Sequence, residues 1–109
     1  MRYFALFFML FSNSVLAERL SGKIEGLIPY SSGDHEILIF KLDNNRTGGC
    51  NTTERFAIDS SSKKYTATLS SVLAAFHSKT SIVVEYKNSC NYLGNSADVN
   101  FICVGSINC

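Results

Sequence analysis

The chain has little excess charge: ten Lys and Arg stand against nine Asp and Glu in 109 residues. A nucleic-acid binder needs a basic footprint to set against phosphate, and none is present. No polybasic cluster marks a site for anionic lipid either. Beyond the first residues, no apolar run approaches the about 20 residues that cross a bilayer, so no membrane span is expected. Cys-x-x-Cys is missing, and with it the usual ligand spacing of a structural zinc site. Neither a Gly-x-Ser-x-Gly elbow nor a phosphate-binding glycine loop occurs. The two histidines, His35 and His77, fall in a turn and at a helix end. Neither has a Cys or Asp partner at a recognised spacing, so both read as solvated side chains, and His77 suits the helix dipole. Glu54 and Asp59 flank a strand without forming an evident acid–base pair. The set of positioned groups that chemistry requires is absent. We therefore expect no enzyme activity, no catalytic residue, no metal and no cofactor.

What is present begins with a leader. Met1-Arg2 is a short basic start, Tyr3 to Phe11 is almost unbroken apolar sequence, and Val15-Leu16-Ala17 offers small residues at the −3 and −1 positions of a cleavage site. Residues 1–17 read as a secretory signal peptide. The exported chain is then one domain, 18–109, secreted or periplasmic. Losing Arg2 leaves nine basic and nine acidic residues, a neutral domain. All four cysteines, Cys50, Cys90, Cys103 and Cys109, lie in it, and an even count in a small exported domain reads as two disulfides. Four cysteines allow three pairings. In one of them Cys103 and Cys109 clip the C-terminus to the last strand, while Cys50 and Cys90 tie together two distant loops.

Period-two alternation predicts strands. Leu20 to Tyr30 places Leu20, Gly22, Ile24, Gly26, Ile28 and Tyr30 on one parity; its glycines suggest a bulge or sharp coil, and Pro29, the only proline, fits a strand end. Glu36 to Leu42 contains Ile37-Leu38-Ile39-Phe40, apolar on both faces, and reads as a strand covered on both sides. Glu54 to Asp59 turns Phe56 and Ile58 inward. Ser81 to Lys87 alternates Ile82, Val84 and Tyr86 against Val83 and Glu85. Val99 to Val104 is the last strand. Polar loops at 43–53 and 88–95 hold Cys50 and Cys90. The first includes two glycosylation triplets, Asn45-Arg46-Thr47 and Asn51-Thr52-Thr53.

One helix is predicted, Tyr65 to Thr80, with an apolar stripe at Tyr65, Leu69, Val72, Leu73 and Phe76. Ser61 or Ser62 is the expected N-cap, although Lys63 and Lys64 oppose the dipole there. The order β-β-β-α-β-β, mostly β with one helix, matches the five-stranded Greek-key barrel called the OB-fold. Leu69, Val72, Leu73 and Phe76 would plug one barrel end, leaving Thr66, Ser70 and Ser71 to solvent or a neighbour. The rival arrangement is an open antiparallel sheet with the helix laid across it.

Three segments resemble the B subunits of the subtilase-cytotoxin and typhoid-toxin type, the glycan-binding pentamers of AB5 toxins. Leu20-Ser21-Gly22-Lys23-Ile24 resembles the start of that family's first strand. Tyr65 to Tyr86 resembles its single helix leading into a strand. Phe101 to Cys109 resembles its closing short Cys-to-Cys loop. The resemblance implies an OB-fold, a homopentamer with helices around a pore, a toxin A subunit as partner, and sialoglycan binding in which Ser21 contacts the sugar. The chain departs from the family in its cysteines: Phe40 or a neighbour stands where a strand-two cysteine would be, so Cys50 would have to pair with Cys90. The aromatic cluster near the helix end is reduced to Ala74-Ala75-Phe76-His77. The expected function is an exported, non-enzymatic binding domain for cell-surface glycans. The alternative is a monomeric periplasmic or secreted structural or inhibitor protein on the same scaffold, and a small hydrolase is a weaker third.

Overall fold

The computed structural model describes residues 17–44, 46 and 48–109. Residues 1–16 of the expected leader, 1–17, lie outside the described residues, and Ala17 begins the first strand. Five strands and one helix follow in the predicted order: β1 (Ala17–Ser32), β2 (His35–Leu42), β3 (Phe56–Asp59), α1 (Tyr65–Ser78), β4 (Ser81–Lys87) and β5 (Ala97–Val104). The strands close into a barrel in the order β1-β2-β3-β5-β4. Every ladder is antiparallel except β3 with β5. This is the Greek-key barrel expected from the element order, and the open-sheet alternative is set aside.

The barrel closes because β1 serves two partners. Residues 17–23 pair with β4 and residues 24–32 with β2. Between them the register slips: Ile24 faces Leu42 but Gly26 faces Lys41, so β1 carries one extra residue. A bulge bends the strand and inverts the parity of everything after it. Leu20 and Ile24 point into the core; beyond the bulge Leu27 packs against it instead, while Ile28 and Tyr30 stand 43% and 47% exposed. The bulge suggested by the glycines of this strand is present between Ile24 and Gly26, and what it corrects is the shared parity predicted for Ile28 and Tyr30. Gly22 has a separate role. A Cβ there would lie 2.6 Å from Asp43 Oδ1, whose carboxylate accepts the Lys23 N–H at 2.9 Å. Gly33, at φ 58°, opens the turn between Ser32 and His35.

The interior is built around Phe56, whose ring lies 5.5 Å from that of Phe40 and 5.1 Å from that of Tyr86. Tyr86 is buried, and its hydroxyl reaches the barrel end, where it donates to Glu18 at 3.0 Å. Burial, and then that bond, raise its pKa above the usual phenol value. The doubly apolar β2 is covered on both sides, as expected. Leu38 and Phe40 face the main core, while Ile37 and Ile39 join Ala57 in a second cluster beneath Tyr92 and Leu93 of the β4–β5 loop.

The helix differs from expectation in three ways. It ends at Ser78 rather than Thr80, because Lys79 turns left-handed (φ 56°). The Thr80 N–H then donates to the Ala75 carbonyl at 3.0 Å and the Lys79 N–H to that of Phe76 at 3.3 Å, a Schellman closure. At the other end Lys64 is the N-cap and makes no side-chain capping bond. Ser61 and Ser62 lie a turn too early: Ser62 accepts the Lys64 and Tyr65 N–H groups before the helix begins. Third, the face is rolled. Tyr65, Thr68, Val72 and Ala75 are buried, and Leu69 is half-buried, whereas Leu73 and Phe76 are 45% and 44% exposed. Small side chains at Thr68 and Ala75 let the helix backbone lie close against the barrel mouth. Each larger neighbour, one residue on, is turned about 100° away.

Candidate ligand-binding face

Three strands build the face that carries Ser21. Along β1, Leu20 points inward, so Arg19, Ser21 and Lys23 point out. Ser21 lies opposite Val83 on β4, which lies opposite Cys103 on β5. One step along, Arg19, Glu85 and Phe101 form a parallel row. The Asn44 side chain donates to the Ser21 carbonyl at 3.2 Å and pins the backbone there. Among the described residues the Ser21 hydroxyl itself has no hydrogen-bond partner, so it is available to a ligand.

The row beside Ser21 is held rigid by charge. Arg19 donates through Nε and Nη2 to Glu85 Oε1, both at 3.3 Å, and through Nη1 to the Cys109 carbonyl. Asn100 donates to the second Glu85 oxygen at 2.7 Å. Lys64, at the start of α1, donates to the Asn100 carbonyl at 3.3 Å. The half-buried Phe101 ring sits among these groups, 5.9 Å from the Arg19 guanidinium and 5.7 Å from the Lys64 ammonium. The Cys103–Cys109 disulfide folds the C-terminus back onto the same face. The result is an aromatic surface ringed by fixed donors and acceptors, a chemistry that suits polyhydroxylated ligands.

The other disulfide joins Cys50 to Cys90, as the loop-tying pairing requires. It holds the β4–β5 loop across the outer face of β2 and β3. OB-folds commonly bind oligonucleotides and oligosaccharides on that face. Here Tyr92 and Leu93 already occupy it. The β1–β4–β5 surface around Ser21 is open, and a further cavity of about 300 Å³ lies along β1 and β2, lined by Glu25, Ile28, Ile39, Lys41 and Arg55.

Sequence reasoning missed Asp98. It is only 6% exposed, and its carboxylate accepts Ser89 Oγ at 2.6 Å, the Asn91 N–H at 2.9 and 3.1 Å, and the Tyr92 N–H at 3.0 Å. It anchors the loop that the disulfide also holds. Its one signal in the sequence is an acidic residue near the start of a largely apolar strand.

His35 is exposed, as expected, and the structure adds an Asp partner that no sequence spacing announces. His35 Nδ1 lies 3.0 Å from Asp59 Oδ1. The Ser61 N–H, donating at 2.8 Å, is the chief cause that holds the Asp59 carboxyl below its ordinary range, with His35 adding to it. The pair fastens the β1–β2 turn to the end of β3. Glu54 meets Lys41 instead, at 3.7 Å, and His77 is exposed. Asn51 is 4% exposed, accepts the Arg55 N–H at 3.3 Å, and presents no acceptor for a glycan in the folded protein. The other triplet includes Asn45 and Thr47, which lie outside the described residues. Among the described residues no three His, Cys, Asp or Glu side chains converge, and no helix is long and apolar enough to cross a membrane. No protein family, curated protein or solved structure matches this chain.

Proposed function

We propose that this is an exported, non-enzymatic binding domain that recognises cell-surface glycans through the β1–β4–β5 face around Ser21, in the manner of the AB5 toxin B subunits it resembles. The observation that carries the reading is the unpartnered Ser21 hydroxyl on a backbone pinned by Asn44, beside the charge-framed ring of Phe101. A sugar hydroxyl meeting Ser21 places the saccharide along the Arg19–Glu85–Phe101 row, where rigid partners cost little ordering entropy. Screening the exported protein on a glycan array is expected to show saturable binding. Ser21→Ala should then weaken it about tenfold, the worth of one ligand hydrogen bond. Unchanged affinity in that variant, with its thermal unfolding intact, would remove Ser21 from the site.

The same reading assembles five copies into a ring that presents five such faces and docks a toxin A subunit. Leu73 and Phe76, apolar yet about half exposed on α1, support it as surface that a neighbouring copy would cover. Native mass spectrometry of the exported protein should give a pentamer. Leu73→Glu combined with Phe76→Glu should give a monomer that still folds, since neither side chain reaches the barrel core. A monomeric wild-type protein would favour the structural or inhibitor alternative.

A further inference from the structure

We propose that a second, anion-selective subsite adjoins this face, so that the preferred glycan carries a sulfate or phosphate ester. The inference rests on the glycan-binding reading and specifies its ligand. Next to Phe101 the surface opens into a cavity of about 190 Å³ between the start of α1, the β4–β5 loop and the ends of β4 and β5. Lys64, Lys87, Asn91, Asn100 and Asp98 line it. Lys64 and Asn100 belong to both places, so a saccharide lying over Phe101 reaches the cavity without leaving the protein surface.

The charge in the cavity decides what it takes. Asp98 contributes one negative charge, but its oxygens are occupied by Ser89, Asn91 and Tyr92. Its carboxylate therefore has no free site for a ligand donor or a cation. Two ammonium groups outweigh it. Among the described residues Lys64 makes no ion pair; it donates to the neutral Asn100 oxygens, at 3.3 and 3.4 Å, and lies over the Phe101 ring. Lys87 makes no ion pair among the described residues. Of the carboxylates beside it, Glu85 is neutralised by Arg19 and accepts from Asn100, and Glu18 accepts the Tyr86 hydroxyl. The uncommitted charge is thus positive and borne by lysine. A lysine binds as a compact point charge with rotatable donors, which suits a tetrahedral oxyanion; planar bidentate recognition of a carboxylate is the habit of arginine. The one arginine on this face, Arg19, is already committed to Glu85.

The test is titration calorimetry at low salt with four probes: N-acetyllactosamine, its 6-O-sulfated form, mannose 6-phosphate and mannose. The sulfated disaccharide is expected to bind about tenfold more tightly than the neutral one, as charge-assisted bonds imply. Mannose 6-phosphate should exceed mannose in the same sense if phosphate serves as well as sulfate. Lys87→Gln, an exposed strand-end change, should reduce the charged probes to the affinity of their neutral parents and leave the neutral ones unaltered. Equal binding of charged and neutral probes, with Ser21 dependence retained, overturns the anion subsite and leaves the glycan reading standing. Binding of charged probes that Lys87→Gln does not weaken also overturns it. No binding by any probe overturns it too; the glycan array and its Ser21→Ala control then decide whether the wider reading falls as well.

Discussion

Replacing both Cys50 and Cys90 with serine is expected to lower the unfolding free energy by about 4 kcal/mol. The bridge spans 40 residues, from the loop after β2 to the loop after β4, and so constrains most of the barrel's connectivity in the unfolded chain. A small domain has limited core to offset such a loss. The six-residue Cys103–Cys109 clip should matter less, about 2 kcal/mol, because its loop is short. Denaturant unfolding of this variant, and of one with Cys103 and Cys109 replaced by serine, against the oxidised wild type checks the two figures. A loss below about 1 kcal/mol for the long bridge would show that the chain-entropy account fails here. Because Asp98 still holds the β4–β5 loop, amide exchange at Asn91 and Tyr92 should remain slow in the serine variant.

Asp98→Ala should cost about 4 kcal/mol by a different route. Here the native state loses its contacts: the Asn91 and Tyr92 N–H groups and the Ser89 hydroxyl are left without their acceptor. With that anchor gone, Tyr92 and Leu93 should lift from Ile37, Ile39 and Ala57. The expected signatures are fast exchange at Asn91 and Tyr92 and increased binding of an apolar dye. Asp98→Asn, which keeps one acceptor oxygen, should fall between. The bridge and the carboxylate hold one loop, so their combined removal should depart from additivity. Unaltered exchange in Asp98→Ala would mean that the disulfide alone secures the loop.

Particular residues show how far the sequence could be read. Ser81–Lys87 has the predicted bounds, because Ile82, Val84 and Tyr86 alternate without a break and both ends are polar. Ile37 to Phe40 was legible as a doubly covered strand because four apolar residues in a row leave no wet face. Gly26 marked the bulge, yet its effect on Ile28 and Tyr30 was not legible: a one-residue slip is defined only against the partner strand. The roll of α1 was hidden for a similar reason. Leu73 and Phe76 have the hydrophobicity of core residues, but Thr68 and Ala75 have the size that the barrel mouth admits. At the candidate site Ser21 and the cysteines could be named in advance. Arg19–Glu85 and His35–Asp59 could not, since each joins residues far apart in the chain.

What the sequence determined by itself was local and periodic: strand and helix order, and an even set of cysteines able to pair. Those properties depend on side-chain alternation and composition over a few neighbouring residues. The tertiary structure decided which surface is open. It placed Tyr92 and Leu93 over part of the face that OB-folds commonly use, left Ser21 and Phe101 on a separate face, and set the Lys64–Lys87 cavity at the edge of that loop, where Tyr92 also lines it. That outcome follows from Asp98 and the Cys50–Cys90 bridge acting together on one loop. Such long-range constraints have an energy only once the barrel has brought their partners within bonding distance.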